Sequence, residues 1–305
     1  MIDYLYNINF IRVDYYDKVL FNKFGKSLLI TILYTNTSGT SNIDIKFKTP
    51  DIKPQLQGRP HMTESRIVNA AGDIPLDIST EIFIKNWTIY RKIIENDNMS
   101  HRAGYLKLKE ILLYELDRPF TFLDLGCGDS YYSSITLKDT KATQYIGVDV
   151  SAHALSYAKE NLSTTGLKTT LIQADFFNID EIFGDTADVI WVGFSVHHLE
   201  TPEKLEFMKK VRNSLSKNGL FLLYEPILNE GESIEEFLER FRETYNRHWR
   251  GLSKEDEVAL FEHVRESERP ETTENWIKLG KKAGFTKAEK VFSENTGLYE
   301  IFKYK

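Results

Sequence analysis

Gly126-Cys127-Gly128 follows a short apolar run, Phe122 to Leu125, that carries one acid, Asp124. A run of that kind suits a buried strand, and the glycines mark a tight turn leaving it. Glycine adopts unusual backbone angles without steric cost and lets a ligand approach the main chain. A strand that stops at such a turn and opens a helix is the usual architecture of a nucleotide-type pocket. Two later apolar runs also end in acids: Asp149 follows Tyr145-Ile146-Gly147-Val148, and Asp175 follows Thr169 to Ala174. A further run, Ala187 to Gly193, ends near His197 and His198. Imidazole titrates close to neutrality, so this pair can take up a proton in a reaction.

The elements that must position these groups alternate along the chain. Strands are expected at Thr121–Leu125, Tyr145–Val150, Thr169–Ala174, Ala187–Gly193 and Gly219–Tyr224. Between them, Ser151 caps a helix with Leu155, Ala158 and Leu162 on one face. Thr201-Pro202 opens another, the Thr201 hydroxyl as its cap and proline in its first turn, with Leu205, Met208, Val211 and Leu215 on its core side. Alternation of this kind predicts a doubly wound, mostly parallel sheet with helices on both faces. Thr286–Phe292 and Leu298–Tyr304, joined by a short loop, close the chain as an antiparallel hairpin. Residues 227–272 break the rhythm with two helices, one opened by a Ser233/Glu236 capping box and one by Ser253. An inserted helical pair at the ligand edge of a sheet reads as a lid.

Before the sheet, residues 61–118 read as a helical cap. Trp87, Tyr90, Ile93 and Ile94 share one helix face, Asn96-Asp97-Asn98 interrupts it, and a second helix runs from Ser100 to Leu116. Residues 119–305 form the core with its insertion. Residues 1–60 hold two strand-like runs, Ser27–Tyr34 and Ile43–Phe47, around a polar stretch, Thr35–Asn42. A Pro/Gly-punctuated linker follows, with Pro50, Pro54, Gly58 and Pro60. Two readings stand for this region: a small β attachment or partner-binding arm, and a poorly ordered leader ahead of a start at Met62.

The chain has 305 residues, 41% of them hydrophobic, enough for a sizeable core. Its formal charge of −6 disfavours a nucleic-acid partner, which wants a basic face. One cysteine, Cys127, excludes an internal disulfide and fits a reducing compartment. The longest apolar run, Leu28–Tyr34, is too short to cross a bilayer. These features predict a cytoplasmic protein with no membrane partner, and they leave room for a homodimer.

Leu-Asp-Leu-Gly-Cys-Gly, then Gly-Val-Asp, Gln-Ala-Asp-Phe, His-His-Leu and Asn-Gly-Leu-Phe-Leu occur in this order from residue 123 onward. The series resembles the class I methyltransferases that use S-adenosyl-L-methionine, over Leu106 to Lys305. The resemblance implies a Rossmann-like sheet of seven strands, the last antiparallel. It also implies a cofactor site. Gly126, Cys127 and Gly128 would bring main-chain N–H groups to the amino-acid tail, and Asp124 would face the ammonium. Asp149 would accept from the ribose hydroxyls and Asp175 from the adenine amino group, with Val150 or Phe176 against the ring. Arg102 would pair with the tail carboxylate. Small-molecule members place a base just after the fourth strand, which falls on His197, with His198 beside it. No ligand spacing for a metal is present, since adjacent histidines do not readily share one ion.

Ser130 stands where the family often has its third glycine, a small residue in place of a smaller one. Tyr131 occupies the third-glycine position of a dinucleotide turn and disfavours a dehydrogenase. Gly193-Phe194-Ser195-Val196 lacks the Asn/Asp-Pro-Pro-Tyr pattern of nucleic-acid amino methyltransferases. Tyr245, Arg247, His248, Trp249, His263, Arg265 and Arg269 on the insertion suit an anionic or aromatic acceptor. The expectation is methyl transfer to an oxygen or nitrogen of a small molecule. The alternatives are a nucleic-acid or protein methyltransferase, and a non-catalytic cofactor-binding module.

Overall fold

The computed structural model describes residues 88–305 and, ahead of them, strands β1 (Tyr16–Lys23), β2 (Lys26–Thr37), β3 (Thr40–Lys48) and β4 (Arg66–Asn69). Two compact units divide between His61 and Met62. In the first, β1, β2 and β3 form an antiparallel meander, with Tyr34 opposite Ile43 and Thr37 opposite Thr40. The strand-like runs expected here fall within β2 and β3. Their pairing continues through much of the polar stretch, because threonine and asparagine on paired strands still complete the backbone ladder. The linker and the helical start around Ile82 and Trp87 lie outside the described residues.

The second unit continues with a helix over 88–95 (α1), a turn, and α2 (His101–Glu115). Then follow β5 (Phe120–Leu125), α3 (Tyr131–Thr136), β6 (Ala142–Asp149), α4 (Ala152–Leu162) and β7 (Lys168–Gln173). Next come α5 (Ile179–Ile182), β8 (Ala187–Gly193), α6 (Thr201–Asn213) and β9 (Leu215–Leu228). The chain ends with α7 (Ile234–His248), α8 (Lys254–Ser267), β10 (Glu271–Thr272), α9 (Thr273–Lys282), β11 (Ala288–Ser293) and β12 (Tyr299–Tyr304).

Among the described residues, nine strands share one sheet in the order β11-β12-β9-β8-β5-β6-β7-β4, with β10 beside β9. β12 is antiparallel to both β9 and β11; the other pairs are parallel. The order reverses between β5 and β8, and the crevice beyond their carboxyl ends is where open α/β sheets bind ligands. The central parallel strands β5 and β8 are almost wholly buried and largely apolar because both faces are covered. Phe122, Tyr145, Trp191 and Tyr224 face one core with Leu108 and Leu112 of α2. Leu123, Ile146, Ile190 and Phe221 face the other, with Phe207 and Val211 of α6 and Trp276 of α9.

Two expectations are corrected. Arg66–Asn69, expected in a helical cap, is a parallel edge strand beside β7, with Ile67 opposite Leu171. Four residues are too few for periodicity to separate strand from helix. Helix α6 is capped by Glu200 in a reciprocal box with Glu203, not by Thr201, whose hydroxyl instead donates to Glu271 at 2.6 Å.

Candidate active site

The β5 turn is built from positions that side chains rarely tolerate. Gly126 and Gly128 have φ of 68° and 52°, and a Cβ on Gly126 would lie 2.3 Å from Ser195 Oγ. Ser130, in the third position, takes φ 53° and is held there by its hydroxyl against Tyr145 at 2.8 Å. The turn is therefore shaped for close approach. Its donors are already committed, however: Gly126 and Cys127 N–H bond the Val148 carbonyl at 2.8 and 3.0 Å, and Gly128 N–H bonds Asp149 at 2.9 Å. The Cys127 thiol is buried, and burial, with Asp149 and Asp124 nearby, pushes its pKa well up. A thiol held protonated is a packing group, not a nucleophile.

A small cavity opens over this turn, walled by Tyr90, His101, Tyr105, Tyr132, Gly193 and Phe194. His101 begins α2 and is 2% exposed, and neither of its ring nitrogens has a hydrogen-bond partner. Its ring stacks on Tyr132 at 5.4 Å and meets Phe194 at 5.0 Å. Burial drives its pKa down to about 3, so the imidazole is neutral and presents one donor and one acceptor. Leaving such groups unpaired costs free energy, on the order of 1–3 kcal/mol, which a ligand would recover. Phe194 sits at φ 55°, a rare conformation for an aromatic residue and one that clusters at functional sites.

The acids divide into two kinds. Asp149 lies at the rim of the turn, accepting from Gly128 N–H with one oxygen and Ser151 N–H at 2.8 Å with the other. Asp175 is exposed and accepts from Phe177 N–H at 2.9 Å. Val150 is also exposed, while Phe176 is half-buried edge-on against Phe207. Asp124 points the other way. It is buried beneath the turn, accepting from Ser133 Oγ at 2.5 Å and the Tyr145 hydroxyl at 2.7 Å, and burial raises its pKa to about 7.

Arg102 does not line the turn cavity. Its side chain is 70% exposed, with Nε 4.0 Å from Asp97, on the edge of an adjoining hollow of roughly 780 Å³. One residue along a helix turns a side chain by about 100°, so His101 faces inward and Arg102 outward.

Beyond β8 the charges are locked together. Glu225, at the end of β9, accepts from the N–H groups of Ser195 and Val196 at 3.2 and 2.9 Å and pairs with His197 Nδ1. His197 Nε2 lies 3.9 Å from Glu268. Nearby, Lys204 is fully buried on Glu271 at 2.9 Å and on the Arg269 carbonyl. Burial lowers His197 to about 4 and raises Glu225 to about 7, so both shifts favour the neutral pair. His197 reaches neither cavity. His198 is exposed, its Nδ1 3.2 Å from the Ser267 carbonyl and its ring 5.4 Å from that of His263. Among the described residues no His/Cys/Asp/Glu group is arranged to hold a metal ion.

The structure thus brings together the glycines, Asp149 and the loop after β8. The pair His101-Arg102 stands out in the sequence ahead of the first strand, but a ligand role was expected of Arg102 alone. Helical phase relative to the Tyr105, Leu108 and Leu112 face could have found His101, since it lies on that face. Nothing local in the sequence marks Glu225 as the acceptor for the loop after β8.

Residues 122–219 match a family model described as a methyltransferase domain. The carboxy-S-adenosyl-L-methionine synthase of Campylobacter jejuni is 25% identical over 169 residues, covering 55% of this chain and 70% of that protein. A solved structure of a putative O-methyltransferase from Nostoc punctiforme superposes with a TM-score of 0.50 at 17% identity, covering 68% of this chain and 57% of that chain. The plantazolicin methyltransferase BamL, in complex with a triazolic desmethylPZN analog and SAH, superposes with a TM-score of 0.50 at 14% identity, covering 71% of this chain and 90% of that one.

Proposed function

The chain carries a class I S-adenosylmethionine-dependent methyltransferase domain, and we propose that it transfers the cofactor's methyl group to an oxygen or nitrogen of a small molecule. The observation behind this reading is the unpartnered, neutral His101 above the glycine turn at the sheet's switch point. An α-amino-acid tail has both an anionic acceptor and a cationic donor, and a neutral imidazole can meet one with each nitrogen.

The residues present fit the cofactor. Asp149, at the end of β6, would accept from the ribose hydroxyls, and Asp175 with Phe176 would meet the adenine. Tyr132 and Phe194 offer ring faces that attract a cationic centre. S-adenosylmethionine, when bound, supplies a sulfonium methyl as the electrophile. Gly193 and Phe194 border that space, so they would orient the acceptor and keep water from it. In the described geometry His197 is enclosed by Glu225 and Glu268, which suits a brace for this loop better than a base. Rate enhancement on this reading comes from positioning, which can supply more than proton transfer does. The acidic charge and the name of the BamL neighbour support a small-molecule acceptor.

The test is transfer of labelled methyl from S-adenosylmethionine to fractionated cell extract, with the product identified by mass. A methylated small molecule alongside S-adenosylhomocysteine is the expected outcome. The name of the Campylobacter relative sets the competing result: a cofactor mass increased by a carboxyl group, with no methylated acceptor, would overturn methyl transfer.

A further inference from the structure

The connector between α1 and α2, residues 96–100, is tied to two distant parts of the fold at once. On one side lies the α7–α8 junction. Asn98 Nδ2 donates to the Arg250 carbonyl at 2.9 Å, and Arg250 N–H donates back to Asn98 Oδ1 at 3.0 Å, across 152 residues. One amide side chain thus pairs with both polar groups of one residue's backbone. Next to it Gly251 has φ 83°, which strains any other residue, and a Cβ there would come 2.3 Å from Asn96 Nδ2 and displace that amide. Lys92 adds an ion pair to Asp256 in the first turn of α8 at 2.5 Å.

On the other side lies the cofactor cavity. The Tyr224 hydroxyl donates to the Met99 and Ser100 carbonyls at 3.4 and 3.2 Å, and the Tyr224 ring meets Phe194 at 4.5 Å. Ser100 also reaches Glu294 at 3.5 Å, and His101 follows it directly. Asp97 and Ser100 both take φ 54°, a conformation that non-glycine residues hold only when their surroundings over-determine it. The connector is therefore a strained segment held from both ends, with the insertion at one end and His101 at the other.

Resting on the cofactor reading above, we infer that Asn98 is a positioning residue that couples docking of the α7–α8 insertion to formation of the His101 cavity. When the insertion is docked, Asn98 fixes the connector and hence the direction in which His101 faces. When a ligand engages His101, the connector is fixed from the other side, and Asn98 then holds the insertion more tightly. Such coupling is reciprocal.

Hydrogen exchange read by mass spectrometry tests this on the full chain, with and without saturating S-adenosylhomocysteine. In the wild type the ligand should slow exchange in residues 234–267 several-fold. In Asn98→Ala that protection should vanish and the dissociation constant should rise about 10-fold, the loss of roughly one to two hydrogen bonds. Asn98→Asp, which can still accept from Arg250 N–H, should fall between the two, and Gly251→Ala should reproduce the alanine variant. Wild-type binding by calorimetry without protection of 234–267 would overturn the coupling and leave the cofactor assignment standing. Full protection in Asn98→Ala would overturn it too. No binding at all would sink both.

Discussion

The two sides of the switch point carry their charges differently. On the β5–β6–β7 side, Asp149 and Asp175 sit at strand ends, each oxygen bonded at most to a backbone N–H and otherwise open. On the β8–β9 side, His197, Glu225, Lys204 and Glu271 are buried and Glu268 is half-buried, with His197 between Glu225 and Glu268 and Lys204 on Glu271. The first arrangement leaves acceptor capacity for a ligand. The second spends its capacity on holding the loop after β8 and the end of the insertion. The contrast teaches that strongly shifted ionisable groups and ligand-ready groups need not coincide, although the former are a usual pointer to function.

If that division is right, breaking the network should cost stability, and breaking the open side should cost affinity. Glu225→Ala strips the acceptor from two N–H groups and His197. It should lower unfolding free energy by about 3 kcal/mol in denaturant melts, as for other broken buried pairs. Affinity for S-adenosylhomocysteine should stay within about 3-fold, and a larger loss would move the network into the cofactor site. Asp149→Ala should do the reverse, weakening binding about 100-fold in calorimetry, the worth of two hydrogen bonds to a carboxylate. A dissociation constant unchanged from wild type would remove Asp149 from the site.

His101→Phe sharpens the comparison further. It keeps the aromatic packing and removes two orphaned nitrogens, so the melting temperature should hold or rise while affinity falls about 10-fold. A marked drop in melting temperature would mean that the imidazole has a structural partner instead. The smallest effect concerns Asp124. Its folded pKa, about 7, lies above the ordinary carboxylate value, so the folded state binds the extra proton. Its contribution to stability is therefore greatest in acid and is lost as pH rises toward 7. Asp124→Asn lacks that titration, so its melting temperature relative to wild type should climb between pH 4 and pH 7. A difference that stays flat with pH would contradict the buried, proton-binding placement of this side chain.

Much of the frame can be read from residue order. Alternating apolar runs and capped amphipathic stretches imply the doubly wound sheet, because burial on both faces demands apolar strands and one-sided helices. Strand ends at Gly126, Asp149 and Asp175 follow from the same pattern. Among the features that escaped it are β1, the two-residue β10, β4, too short to show a period, and the cap of α6, where Glu200 outcompeted Thr201 by forming a two-way box.

What residue order settled here was chemistry that depends on neighbours in the chain: glycines at positive φ, acids at strand ends, serines in capping boxes. Only the folded molecule decided which way Asp124 and His197 face and what meets the His101 ring. Each of these depends on partners brought from afar: Tyr145 for Asp124, Phe194 for His101, Glu225 and Glu268 for His197. A side chain's local sequence specifies what it can donate or accept; tertiary packing specifies whether a partner or a ligand receives it.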